Sequence, residues 1–281
     1  MQIKRNPVII KGTYDLHMEI GESGYARTDP LRWRVEGVRM PFSRLYLVKA
    51  GEGWLRTDGQ TVVMRPGYAY FIPAGLPLSY GCDDYVEKLY FHVRLTKPDG
   101  YDLAEGLSCF AECPMEEGWL DRMIAFYQSD RWMDALALQG GLYEMLSRLL
   151  QQYPVKHQPI PLYSPLTEQT MRYVQEHLSV RLSSGEIAAA LFVSQSALSR
   201  TFRQETGKTI RQYVEDMVFS KAQKQLLETD RSLGRISETL GFCDMFFFPR
   251  RFRQRYGEPP SVYRKRLQAE SMLRLPVTEA Y

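Results

Sequence analysis

Histidine, cysteine and long apolar runs are what this sequence has least of. The four histidines, His17, His92, His157 and His177, are scattered. A metal site needs clustered imidazoles, thiolates or carboxylates, so no metal and no other cofactor is expected. The four cysteines, Cys82, Cys109, Cys113 and Cys243, show no CxxC spacing and read as reduced, buried thiols. No run approaches the ~20 apolar residues that cross a bilayer. Met1-Gln2-Ile3-Lys4-Arg5 leads into no apolar stretch of the kind a signal peptide needs. A cytoplasmic chain with no membrane partner is the expectation.

What is present suits two domains: 281 residues, 44% hydrophobic and 25% charged, enough to build real cores. The net charge of +3 hides an asymmetry. From Leu166 onward there are 18 Lys+Arg against 13 Asp+Glu, and before it 18 against 20. A polyanion would meet the C-terminal half.

The pattern along the chain changes once. From about Val8 to Leu95 short β-type runs alternate with Gly and Pro corners: Leu45–Val48, Trp54–Thr57, a turn at Asp58-Gly59, Thr61–Met64, Pro66-Gly67, Tyr68–Pro73 and Glu87–Leu95. Asp-Gly between two such runs signals a hairpin, and the spacing argues a barrel or sandwich. From Glu116 to Gln151 apolar residues recur at helical spacing, weakened at Gly140-Gly141, and read as two helices with a break near Ser129-Asp130. Pro154, Pro159, Pro161 and Pro165 mark a semi-rigid linker. Helices follow over Leu166–Leu178, Ser184–Phe192, Ser194–Thr206, Ile210–Leu227, Ser232–Leu240, Asp244–Tyr256 and Ser261 onward.

Within that helical half one phrase occurs twice. Arg200-Thr201-Phe202-Arg203-Gln204-Glu205-Thr206-Gly207, with Tyr213 six residues on, returns fifty residues later as Arg250-Arg251-Phe252-Arg253-Gln254-Arg255-Tyr256-Gly257, with Tyr263 six residues on. Two like units with arginines in one register suit one repetitive polymer, DNA. In the first unit Ile187, Ala188 and Leu191 share one face of a short helix, Phe192-Val193 turns the chain, and Ser194 caps a second helix. Leu198 and Phe202 point inward, leaving Gln195, Ser196, Ser199, Arg200 and Arg203 outside. That is a helix-turn-helix. The second unit repeats it with Ile236, Leu240, Gly241-Phe242, the cap Asp244, then Phe248 and Phe252 inward and Arg250, Arg251, Arg253 and Arg255 outside.

These residues resemble the DNA-binding domain of the AraC/XylS family of transcriptional regulators. The second unit carries the family's signature in Ile236-Ser237-Glu238-Thr239-Leu240-Gly241-Phe242, Phe248-Pro249-Arg250-Arg251-Phe252-Arg253 and Gly257–Arg264. The first matches at Ala188, Ser194, Leu198, Arg200, Phe202, Gly207, Tyr213, Ala222 and Leu226-Leu227. The resemblance covers about a hundred residues. It implies two recognition helices in successive major grooves of double-stranded promoter DNA, roughly 34 Å apart.

Carried over by position, the implied base readers are Ser196, Ser199 and Arg200, then Met245, Phe246 and Arg250. Arginine can fork onto guanine, whereas Met245 and Phe246 can press only on thymine methyls or sugars. Gln195 lies beside the first set. Arg203, Arg253 and Arg255 read as phosphate contacts or a solvated face. Pro249, at the fifth position of a helix begun at Asp244, would remove a backbone hydrogen bond and clash one turn back; a later start would relieve it. Val218 replaces an arginine frequent in the family.

The front half resembles the family's cupin-like sensor at Leu45–Val48, Gly51-Glu52-Gly53, Arg65-Pro66-Gly67, Phe71–Gly75 and Tyr90-Phe91-His92. The fold class expected is therefore α+β multidomain. An N-terminal cupin-like β-barrel (1–110) leads into a helical segment (111–152), a candidate for dimerisation, and a Pro-rich linker (153–165). An all-α double helix-turn-helix domain (166–273) closes the chain. Candidate effector contacts are Trp33, Arg39, Arg44, Tyr46, Trp54, Tyr70, Tyr90 and His92, aromatics and arginines suited to a sugar or a sugar acid. Trp119, Met123, Tyr127, Leu142, Met145 and Leu149 form a stripe that either seals a dimer or packs within one chain. The resemblance implies a non-enzymatic homodimeric activator with DNA, a small effector and RNA polymerase as partners. Two other readings stay open: a regulator whose barrel only dimerises or contacts another protein, and a cupin enzyme fused to a DNA anchor.

Overall fold

Strand-type runs punctuated by glycine and proline build one unit of the molecule, and capped amphipathic helices build the other. The structure, a computed structural model, describes residues 16–153, 163–243 and 246–272. Among these the chain divides into two compact units, one holding Leu16–Thr96 and 101–153, the other Lys97–Gly100 and 163–269. The segment from Val8 to residue 15, most of the proline-rich linker and the tail from Leu273 lie outside the described residues.

The first unit is a two-sheet β domain. Its strands are β1 (His17–Thr28), β2 (Val35–Val38), β3 (Ser43–Gly51), β4 (Gly53–Arg56), β5 (Thr61–Met64), β6 (Tyr68–Ile72), β7 (Leu78–Gly81), β8 (Val86–Thr96) and β9 (Ala111–Pro114). The first sheet has the order β1-β8-β3-β6-β9, and the second β2-β7-β4-β5. Adjacent residues of a strand point to opposite faces, and β3 uses both. Leu45 and Leu47 face a core shared with α1 (Trp119–Tyr127) and α2 (Trp132–Leu150), while Tyr46 and Val48 face the core between the sheets. Burial on both faces is why this stretch reads as an unbroken apolar run. The Asp58-Gly59 turn joins β4 to β5 in the register Trp54↔Val63. The segment assigned to helix from 111 opens instead with β9, which pairs Tyr70↔Glu112 with β6 and extends the sheet before the first helix begins.

The break between α1 and α2 falls at 128–131. There Asp134 accepts hydrogen bonds from Ser129 Oγ at 2.5 Å and Arg131 Nε at 2.7 Å. Gly141 admits the neighbouring helix, since a Cβ there would stand 2.6 Å from Met123 Sδ. The apolar stripe packs within the chain. Trp119, Met123, Leu142, Met145 and Leu149 are buried in the core with the first sheet, and Tyr127 packs against it.

The second unit contains α3 (Pro165–Glu176), α4 (Ser184–Ala190), α5 (Gln195–Thr206), α6 (Ile210–Glu228), α7 (Leu233–Thr239), α8 (Phe247–Tyr256) and α9 (Pro260–Met272). Hydroxyl caps start most of them, as short polar side chains should. Ser164, Ser183, Ser194, Thr209 and Ser232 each accept from a first-turn amide, and Ser183 with Glu186 and Thr209 with Gln212 close capping boxes. Among the described residues no helix is long and apolar enough to cross a membrane.

Candidate nucleic-acid interface

The first helix-turn-helix is α4 and α5. Ile187, Ala188, Leu198 and Phe202 are buried, and they fix α5 with its polar side outward. Gln195, Ser196, Arg200 and Arg203 are exposed and Ser199 is half-buried. Gln195 is tied back to α4, its Nε2 donating to Ser184 Oγ at 2.8 Å. Ser199, Arg200, Arg203 and Gln204 line an open groove of ≈ 670 Å³ with Thr209 and Arg211 at the start of α6. Two arginines beside the amide end of a 19-residue helix make a concavity suited to phosphate.

The second unit repeats this scaffold in α7 and α8. Ile236, Leu240, Phe248 and Phe252 are buried, and both recognition helices end on a left-handed glycine, Gly207 at φ 72° and Gly257 at φ 83°. Arg250 and Arg253 are exposed, and Phe246 is 75% exposed. The cap expected at Asp244 is not where the helix begins. Phe246 holds the N-cap position without a side-chain cap bond, and Asp244 and Met245 lie outside the described residues. The later start places Pro249 at the third helical residue, inside the first turn, where its missing N–H has no intrahelical partner to lose.

Residues 187–266 match the sequence model of the helix-turn-helix domain. The Msm operon regulatory protein of Streptococcus mutans is 22% identical over 234 residues, covering 80% of this chain and 84% of that protein. The Arabinose operon regulatory protein of Salmonella typhimurium is 26% identical over 235 residues, covering 78% and 82%. Residues 187–266 are thus an AraC-type helix-turn-helix domain, and the chain is a DNA-binding transcriptional regulator similar over most of its length to these operon regulators. A solved structure of ToxT from Vibrio cholerae, 10% identical, covers 87% of this chain and 97% of that one at a TM-score of 0.46.

In this regulator the two helix-turn-helix units are joined by more than a connecting helix. Asp216 on α6 accepts from Arg255 Nη2 at 2.6 Å and from Lys208 Nζ at 2.8 Å, and Glu215 pairs with Arg251. Phe219 of α6 stacks near Phe242 and Phe252. The turn after α3 reaches the second helix-turn-helix, with Val180 N donating to Leu240 O at 2.9 Å and Arg181 Nε to Gly241 O at 2.7 Å. Arg255 and Arg251 thus point at α6, away from the outward set of Arg250 and Arg253. The Asp216 bond holds Arg255 above the ordinary guanidinium range against the opposing effect of burial. Val218, where the family often has arginine, is buried and packs as a hydrophobe.

The regulator's β domain gathers part of the candidate effector set. Trp33, Arg44, Tyr46, Tyr70, Tyr90 and His92 are all buried, whereas Arg39 is exposed and Trp54 is half-buried. The β4 alternation explains Trp54, since Gly53 and Leu55 take the buried positions. Two hydroxyls are occupied. Tyr70 accepts from Arg65 N at 3.0 Å and donates to Val63 O at 3.3 Å; Tyr90 donates to Glu22 at 3.1 Å. His92 Nδ1 lies 3.3 Å from the same Glu22 carboxylate and stacks on Phe42. Sequence reading missed Lys88 and Tyr80, both buried here. The period of two along β8 places Lys88 on the side of Tyr90 and His92, a signal that was available.

Proposed function

We propose that this regulator activates transcription as a cytoplasmic homodimer, with RNA polymerase as its partner at the promoter and a small effector, a sugar or sugar acid, held in a cupin-like β domain. The buried aromatic and cationic set between the sheets, Trp33, Tyr46, Tyr90, Arg44 and His92, supports the effector. So do relatives named for arabinose and xylose operons. A ligand acts here by its difference in affinity for two arrangements of the protein. Ser196, Ser199, Arg200, Arg250 and Phe246 are read as the base-facing set, and Arg203 and Arg253 as phosphate contacts.

The carrying observation for DNA is the repeated exposure of Arg200/Arg203 and Arg250/Arg253 on two helices whose opposite faces are buried. Fluorescence anisotropy of the full chain tests it. Promoter fragments from the neighbouring genes should bind tightly in the presence of excess bulk competitor DNA. Equal affinity for promoter and bulk DNA would overturn the reading.

A further inference from the structure

Two cations are buried between the sheets of the β domain: Arg44 is 1% exposed and Lys88 3%. Lys88 has company, its Nζ 3.7 Å from the centre of the Trp33 ring and 3.4 Å from Thr28 Oγ1. Arg44 differs. Its guanidinium lies 5.1 Å from the Tyr80 ring centre and 5.7 Å from that of Phe42. Its Nε and Nη2 are buried and, among the described residues, bond to nothing. Buried polar groups in folded proteins are nearly always hydrogen-bonded, and an unpaired buried charge is among the costliest things a fold can keep. Arginine cannot shed its proton to escape that cost.

The identity of the two unpaired atoms says what they fit. Nε–H and Nη2–H lie side by side on one edge of the planar guanidinium. That edge takes both oxygens of a carboxylate, or two of a phosphate, in parallel hydrogen bonds. Around it stand rings rather than acids. Tyr80 lies 5.1 Å from Trp33, and Trp33 lies 6.0 Å from Tyr46. Glu22, a carboxylate near this face, is engaged by Tyr90 and His92. The strand register sets Arg44 opposite His92 on β8 and Ile72 on β6, so the guanidinium is held on the inner face of the central strand and not on a mobile arm.

We infer that the region around Arg44 between the sheets takes an organic anion, its carboxylate or phosphate seated on the Nε/Nη2 edge of Arg44 and its carbon skeleton against Tyr80 and Trp33. This rests on the effector reading and narrows it from sugars in general to acids.

Thermal unfolding of the full chain tests the assignment with three proteins, wild type, Arg44→Met and Arg44→Lys. The probes are sodium D-galacturonate, inorganic phosphate and D-galactose, at ionic strength held constant with sodium chloride. Galacturonate or phosphate should raise the wild-type Tm by about 2–4 °C. Arg44→Met should lose that rise and Arg44→Lys keep only part of it, while galactose leaves all three unmoved. The ligand-free Arg44→Met chain should melt above wild type, because a buried unpaired charge has been replaced by an apolar chain of similar length. The absence of any Arg44-dependent response to either anion overturns the assignment, as does an Arg44→Met chain that melts lower with no anion effect in wild type. If galactose then stabilises wild type and Arg44→Met alike, the effector reading survives alone. If no probe moves either protein, that reading falls too.

Discussion

Arg255 on α8 donates to Asp216 on α6 at 2.6 Å, across 39 positions of sequence. The carboxylate is shared with Lys208 at 2.8 Å, and so the second recognition helix is braced by the helix that follows the first. Sequence position alone makes Arg255 and Arg253 equivalent members of one basic face; the structure separates them. Arg255→Ala should lower the stability of the full chain by about 1 kcal/mol, the upper end for a partly exposed ion pair, read as a lower urea midpoint. Its effect on the salt dependence of DNA binding should be small, because the side chain faces α6. A loss of one unit of salt slope with unchanged stability would return Arg255 to the phosphate-contacting set.

Arg253 is exposed, on a helix whose Phe248 and Phe252 are buried. Arg253→Ala should weaken binding to all DNA sequences alike and reduce the slope of log affinity against log salt by about one, the signature of one lost phosphate contact. Arg200→Ala should instead cost about 1–3 kcal/mol at one base position and relax specificity there. Binding measured against a set of single-base operator variants separates the two. Uniform, sequence-independent losses from both changes would remove Arg200 from the base-reading role.

The two turns supply a prediction about stability. Phe192 stands in the first helix-turn-helix where Gly241 stands in the second. Phe192 N bonds Ala189 O and Val193 N bonds Ala188 O; Gly241 N bonds Glu238 O and Phe242 N bonds Ser237 O. Both centres are left-handed, φ 56° and 81°. Glycine adopts that region freely, while a residue with a Cβ is strained there by about 1–2 kcal/mol. Phe192 is 96% exposed, so it recovers little of this by packing. Phe192→Gly should therefore raise stability by about 0.5–1 kcal/mol after the extra backbone entropy of glycine is counted. Chemical denaturation measures it, and a destabilised variant would show that the ring has a packing role.

Local signals made much of this legible. Hydroxyl caps at Ser194 and Ser232, glycines after the recognition helices and the Asp58-Gly59 hairpin are rules of one turn or less, readable wherever they occur. The period of two reached further than it was taken. It places Lys88 with His92, and Trp54 on the side opposite Leu55. What could not be read is what depends on distant partners. Nothing near Arg255 names Asp216, nothing near Arg44 announces that two of its nitrogens lack a partner, and the start of α8 at Phe247 depends on packing of Phe248 and Phe252 against Phe219 and Phe242. The apolar stripe of the helical segment was ambiguous for the same reason, because periodicity marks a buried face without saying what covers it.

That stripe bears on assembly. Trp119, Met123, Leu142, Met145 and Leu149 are consumed inside the chain, which removes them as a dimer seam. What α2 leaves outward at its start is a different set, Trp132 at 89% exposure, Met133 at 71% and Leu136 at 59%. These lie within about one turn of helix and continue to Gly140, where no side chain obstructs a second backbone. If the homodimer proposed above forms through this face, Leu136→Glu should weaken it at least about tenfold, the effect of burying one uncompensated charge at a small apolar contact. Leu136 is exposed in the single chain, so the variant should fold with an unchanged far-ultraviolet spectrum and an unchanged melting temperature at low concentration. Sedimentation velocity across a concentration series reads the result. A dimer of undiminished affinity in Leu136→Glu would place the seam elsewhere, and a wild-type chain that stays monomeric at every concentration would remove the homodimer itself.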